Sequence, residues 1–206
     1  MKKLIFIYCV LFLSTAWSTD NIKTVEHLVN IQDIDPTIVL DLRYATTNNF
    51  THKQVYPLAR GILRQETAGK LAAANAEFRQ HGFTIKVWDA YRPVYVQKIF
   101  WDIIPDDRYV ANPYKGGSRH NRGGAVDITL VDNTGKEIQM PSGFDDFSAR
   151  AWPNNFSSSR EVNKNVTLLR RTMRAHGFTP LEHEWWHFDD SNWYQFPIVD
   201  VSLEKF

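Results

Sequence analysis

The clearest alternation of apolar and polar residues along the chain is Phe83-Thr84-Ile85-Lys86-Val87-Trp88-Asp89, which predicts a strand. Val39 to Tyr44 alternates in part and predicts another, followed by a loop at Asn48, Asn49 and Phe50. Glu66 to Arg79 is rich in Ala, Leu and Glu. Its Leu71, Ala74 and Phe78 fall at helical spacing, so the segment reads as an amphipathic helix ending near Gly82. Pro93 suits the first turn of a second helix, over Val94 to Ile103. Asp106 to Arg122 reads as loop, punctuated by Pro113, Gly116 and Gly117. Ala125 to Val131 predicts a strand, with a turn at Asp132-Asn133-Thr134-Gly135. Arg160 to His176 predicts a long helix with Gly177 as its C-terminal cap. Phe178 to Phe188 reads as extended and unusually aromatic. Helices and strands mix without a regular βαβ period or an internal repeat. The expected fold is therefore α+β, one domain, with a mainly antiparallel central sheet flanked by helices.

Composition supports a globular chain. It has 206 residues, 43% hydrophobic and 23% charged, enough for one domain with a real core. The first eighteen residues stand apart. Lys2 and Lys3 precede an apolar run from Leu4 to Leu13, too short to span a bilayer as a mature helix. Ala16-Trp17-Ser18 places small residues where a signal peptidase reads, so 1–18 is expected to be a cleaved secretory signal and 19–206 the functional domain. An uncleaved anchor is the alternative, since Trp17 is an unusual neighbour for the cut. Cleavage removes two lysines and no acids. It leaves 22 basic and 23 acidic residues, a net charge of −1. That balance gives no basis for nucleic acid or an anionic membrane as partner. The only cysteine, Cys9, lies within the signal. Disulfides and thiolate chemistry are thereby excluded from the mature chain, and any metal must use nitrogen and oxygen ligands.

Two short segments carry candidate chemistry. In Ser118-Arg119-His120-Asn121-Arg122-Gly123-Gly124-Ala125-Val126-Asp127, the two glycines let a loop histidine fold back toward a strand aspartate. Asp127 shares its strand face with Ala125 and Thr129, while Val126 and Ile128 face the other way. A carboxylate in so apolar a strand needs a partner, and a metal would serve. The bland alternative is a salt-bridged or capping aspartate beside a surface histidine. In Glu184-Trp185-Trp186-His187, the acid and the histidine would share a face on a helix but oppose each other on a regular strand. A bend, a bulge, or a strand ending at His187 is expected. Two histidines and one carboxylate leave a tetrahedral metal one open position for water, and a spare glutamate can take the proton of that water. His183 competes with His187 as third ligand. His176 ends a helix and suits its dipole better than a metal. Arg92, in Asp89-Ala90-Tyr91-Arg92-Pro93, carries a permanent charge and a planar fork suited to an oxyanion, or else to a structural ion pair.

Ser-x-His-x-x-Gly-x-Ala-x-Asp followed by Glu-x-x-His resembles the zinc D-Ala-D-Ala metallopeptidases, which share a fold with the Hedgehog signalling domain. Asp41 to Phe50, Asp89 to Pro93 and Glu184 to His187 look like the D-alanyl-D-alanine dipeptidase branch, over about Val39 to Trp193. The resemblance implies one zinc per chain on His120, Asp127 and His187, with His183 only a neighbour. It implies Glu184 as general base and then acid, and Arg92 as stabiliser of the tetrahedral intermediate. Ser118 would hold the substrate carboxylate, and Tyr44 with Asp145 the substrate ammonium; Asp146 is adjacent to Asp145. Arg119 is bulkier than the pattern leads one to expect, which affects the pocket mouth. The implied reaction is hydrolysis of D-alanyl-D-alanine to two D-alanines, outside the inner membrane and in the periplasm. The alternatives are a D,D-carboxypeptidase acting on peptidoglycan stem peptides, and a non-catalytic zinc-binding module, against which the spare Glu184 argues.

Overall fold

The computed structural model describes residues 26–154 and 159–206; the segment read as a secretory signal lies outside them. The chain runs β1 (Leu28–Asn30), α1 (Ile31–Ile34), β2 (Val39–Leu40), β3 (Ile62–Arg64) and α2 (Gln65–Gln80). It continues through β4 (Phe83–Asp89), α3 (Val94–Ile103), β5 (Ala125–Asp132), α4 (Arg160–Ala175), β6 (Phe178–Pro180) and β7 (His187–Asp190). Five strands form one sheet in the order β2-β4-β5-β7-β6, while β1 and β3 pair separately. Only β2 runs parallel to its neighbour; β4, β5, β7 and β6 pair antiparallel. The fold is α+β, as the mixed patterning predicts.

Helices α2 and α4 cover one face of the sheet. Leu71, Ala74 and Phe78 of α2 and Leu169 and Met173 of α4 share a core with Ile85, Val87, Val126, Ile128 and Leu130. Ser159 caps α4 by accepting the Val162 N–H, and Gly177, at φ +82, ends it. In β5 the apolar positions alternate toward this core, so Asp127 and Thr129 are left on the opposite face. A second cluster, with Tyr44, Tyr56, Tyr91, Val96 and Phe100, packs with Leu203 and Phe206 near the chain's end.

Three elements differ from the expectation. The strand over Val39 to Tyr44 stops at Leu40, and Arg43–Ala45 form a 3-10 turn. The Asn49 side-chain amide donates to the carbonyls of Arg43, Thr46 and Lys53, which fixes that turn and brings Tyr44 inward. His120–Arg122 also form a 3-10 turn inside the predicted loop. Phe178 to Phe188 is not one extended segment but β6 and β7 with a turn between them. Trp185 and Trp186 are buried at that turn, and the Trp185 N–H donates to the Ala151 carbonyl. Strand β7 therefore begins at His187 rather than ending there, and the expected bend lies between Glu184 and His187.

Candidate metal centre

Sheet register explains why the acid of one motif meets the histidine of the other. Asp127 of β5 lies directly opposite His187 of β7, and opposite Asp89 of β4 on its other side. Opposed residues in an antiparallel pair stand about 4.5–5.5 Å apart at Cβ, close enough to interact. A register irregularity between Val87 and Asp89 re-aims the end of β4 toward this row.

His120 arrives from its 3-10 turn. Gly123 closes that turn at φ +65, and an added Cβ would sit 2.5 Å from Leu28 Cδ2 and 3.1 Å from the Arg64 nitrogen. Glycine is required there by both conformation and space. The Arg64 N–H donates to the Gly123 carbonyl, and the Asp190 N–H to that of Gly124, so the turn is anchored to β3 and β7.

The donor atoms form a compact triangle. His120 Nε2 is 3.2 Å from His187 Nδ1, which is 2.9 Å from Asp127 Oδ1; His120 Nε2 to Asp127 Oδ1 is 3.5 Å. Tetrahedral coordination at about 2.0–2.1 Å requires ligand-to-ligand edges of about 3.3–3.4 Å, so the triangle fits zinc. The outer ring nitrogens fit as well. His120 Nδ1 lies 2.7 Å from the Ala90 carbonyl, and His187 Nε2 lies 2.9 Å from Asp189 Oδ1. Each outer nitrogen therefore carries its proton outward, and each inner nitrogen keeps its lone pair for the triangle. His120, Asp127 and His187 are the one such ligand group among the described residues. His183 lines the same cleft but packs at a tilt against the Trp152 ring and takes no part in the triangle.

Without an ion the acids favour a proton on the triangle, which a metal would have to displace. Burial alone would raise the Asp127 carboxyl, but the two imidazoles outweigh it and hold the group well below the usual carboxylate range. Burial would lower the His187 imidazole, yet Asp189 and Asp127 push it well above its ordinary value.

Around the triangle stands a cleft of about 390 Å³, near the small end of ligand pockets. Glu184 faces it with Oε2 3.8 Å from His187 Nδ1. Burial pushes the Glu184 carboxyl up to about 8; His187 opposes this, and Asp127 and Asp145 add to it. Such a group can exchange a proton near neutral pH. Arg92 also lines the cleft. Its Nε and Nη2 donate to Asp89 Oδ2 at 3.0 and 2.6 Å, and its Nη1 donates to Gln97 Oε1 at 2.8 Å. A guanidinium has five N–H donors, so one remains on each Nη. Asp89 is itself fixed by the Tyr56 hydroxyl and the Ala90 N–H.

The substrate-holding residues expected from the resemblance line the same cleft. Ser118 Oγ accepts the His120 N–H, which leaves the hydroxyl proton to donate. Tyr44 donates to Asp145 Oδ1 at 3.0 Å, and the Phe50 N–H donates to Oδ2 at 3.3 Å. Burial raises the Asp145 carboxyl to about 7. Asp146 is occupied elsewhere, by the Ser148 N–H and by Arg150, so Asp145 is the acid presented to the cleft. Arg119 lies over the Trp193 ring and 3.5 Å from Asp189. Sequence reasoning did not single out Asp189, Gln97 or the Ala90 carbonyl. Asp189 was accessible in principle, since His187-Phe188-Asp189 puts acid and histidine on one strand face.

A family profile described as D-Ala-D-Ala dipeptidase matches residues 24–202. The D-alanyl-D-alanine dipeptidase of Escherichia coli is 33% identical over 179 residues, 87% of this chain and 92% of the other. That of Enterococcus faecalis is 31% identical over 168 residues, 72% of this chain and 83% of the other. Among solved structures, a zinc complex of a vancomycin-resistance D,D-pentapeptidase aligns at a TM-score of 0.44 and 16% identity, over 70% of this chain and 83% of the other. The extent of the family match, and a relative of one-third identity along most of both chains, show that this chain belongs to the D-Ala-D-Ala dipeptidase family.

Proposed function

We propose that this chain is a zinc-dependent dipeptidase that hydrolyses D-alanyl-D-alanine to two D-alanines. The observation that carries the reading is the His120–Asp127–His187 triangle with Glu184 beside it and Arg92 lining the same cleft. A zinc ion on those three ligands would lower the pKa of a water toward about 7 and polarise the scissile carbonyl. Glu184 accepts the proton of the attacking water and passes it to the leaving amine. Arg92 turns its remaining N–H donors on the oxyanion that develops at the carbonyl, with Asp89 and Gln97 holding the fork in place. Asp145 takes the substrate ammonium, with Tyr44 fixing the carboxylate, and Ser118 donates to the substrate carboxylate.

Charged recognition at both ends suits a free dipeptide. A longer peptide has no ammonium at that place and would leave Asp145 poorly paired in the cleft. The secretory signal read in 1–18 supports a periplasmic location and a role in recovering D-alanine during wall turnover. No helix among the described residues is long and apolar enough to cross a membrane. The deciding assay follows release of D-alanine from the dipeptide with and without a chelator, beside a stem pentapeptide. Chelator-sensitive cleavage of the dipeptide is expected. Faster cleavage of the pentapeptide would favour a D,D-carboxypeptidase, and no hydrolysis at all a zinc-binding module.

A further inference from the structure

Behind His187 runs a line of side chains that the proposed chemistry does not use. His187 turns Nδ1 to the triangle and donates Nε2–H to Asp189 Oδ1 at 2.9 Å. Asp189 stands two residues further along β7, on the same face, with its side chain only 7% exposed. Its other oxygen, Oδ2, lies 3.5 Å from Arg119 Nε. The Arg119 guanidinium rests over the Trp193 ring at 4.7 Å, and Arg119 is the residue directly before His120. The side chain preceding one histidine of the triangle thus contacts the carboxylate that holds the other.

This arrangement has a physical consequence for the triangle. An imidazole offers a lone pair at one nitrogen only when the other keeps its proton, and a carboxylate on the outer nitrogen fixes both proton and ring orientation. It also raises the basicity of the inner nitrogen. Arg119 is where the chain departs from the expected small residue. Arg119 lines the cleft, and there its Nε faces Asp189 while its Cζ lies over the Trp193 indole. At 3.5 Å and with a side chain 41% exposed, its influence is modest.

We propose that Asp189 is the positioning residue for His187, and that Arg119 tunes the zinc affinity of the triangle through Asp189. The proposal rests on the zinc reading above. The test is the zinc dissociation constant of the full chain, measured by competition with a chromogenic chelator. Circular dichroism of each metal-free variant checks the fold.

Asp189→Ala is expected to weaken zinc binding about 10- to 100-fold. Asp189→Asn keeps an oxygen acceptor without the charge and should fall between that variant and the parent. Arg119→Ala frees the outer oxygen of Asp189. If Arg119 acts by holding that carboxylate against His187, the change should weaken zinc a few-fold in the parent and not at all once Asp189 is alanine. Tighter zinc binding would overturn the positioning route for Arg119. Zinc binding by Asp189→Ala within twofold of the parent overturns the proposal. If that variant does not fold, parent-like affinity of Asp189→Asn overturns it instead. An Arg119→Ala effect that persists without Asp189 overturns the indirect route. A parent that binds no zinc sinks the metal reading and this proposal with it, whereas a zinc-binding parent indifferent to Asp189 sinks this proposal alone.

Discussion

Asp145→Asn separates stability from function at a single position. Asp145 sits at φ +58, a region that asparagine enters as readily as aspartate. The amide oxygen can accept the Phe50 N–H while the amide nitrogen donates to the Tyr44 oxygen, so no partner is lost. What changes is the charge. Burial lifts the carboxyl from 3.8 to about 7, roughly three pKa steps at about 1.4 kcal/mol each. Keeping it ionised at pH 8 therefore costs at most about 4 kcal/mol, and about half that once cleft water is allowed for.

The sign follows from linkage. A carboxyl whose folded pKa is raised favours the protonated folded state. Its contribution to stability is complete below the unfolded value of 3.8 and is lost as pH rises through about 7. Asparagine has nothing to lose. Urea unfolding should find the variant about 2 kcal/mol more stable than the parent at pH 8, with roughly a third of that remaining at pH 5. The same substitution removes the proposed ammonium partner. A hydrogen bond to a charged group is worth about 1.5–3 kcal/mol, so kcat/KM for the dipeptide should fall about 10- to 150-fold, mainly through KM. Equal stability at pH 8 would refute the burial argument. An unchanged kcat/KM would refute the clamp.

Arg92→Ala should lower turnover about 10²- to 10³-fold with zinc retained, by metal analysis. It also leaves Asp89 buried without its cation and should cost about 3–5 kcal/mol on unfolding. Adding Asp89→Asn should restore much of that stability and none of the turnover; recovered turnover would mean that Arg92 matters only to the fold. Glu184→Gln should reduce turnover about 10²- to 10⁴-fold while the protein still binds zinc, and near-normal turnover would reassign the base. Zinc removal should lower the melting temperature, because the ion binds the folded triangle and not the unfolded chain; equal melting of both forms would contradict the metal reading.

The motifs were legible because they are local in sequence, and their meeting was not, because it depends on register. Nothing in Asp127 or His187 alone says that β5 and β7 pair with these two residues opposed. The alternation of Val126, Ile128 and Leu130 correctly turns Asp127 away from the helices. The strand expected to reach Tyr44 stops short where the Asn49 side chain takes the Arg43 carbonyl and ties it to those of Thr46 and Lys53 in the following loop. The aromatic run after Phe178 misled for a related reason. Trp185 and Trp186 are consecutive yet both buried, which a regular strand with one solvated face does not permit, and a turn solves it. Supporting groups such as Gln97 and the Ala90 carbonyl leave no pattern of their own, since any chain contains many residues of that kind.

The charges around the cleft support the proposal that the site receives two visitors of positive charge. Asp89 is matched by Arg92, and Asp189 is approached by Arg119. Asp127, Asp145 and Glu184 remain close together, and Arg92 reaches Asp127 only at 4.0 Å. Burial raises the carboxyls of Asp145 and Glu184, the charge of Asp127 raises both further, and Asp145 adds to the rise at Glu184. A folded chain accepts such a cluster at a cost in stability, which a bound cation offsets. In the proposed reading, a divalent ion on the triangle would answer Asp127, and a substrate ammonium would answer Asp145. Glu184 would then be the acid left without a fixed partner, which is the condition the proposed proton carrier requires.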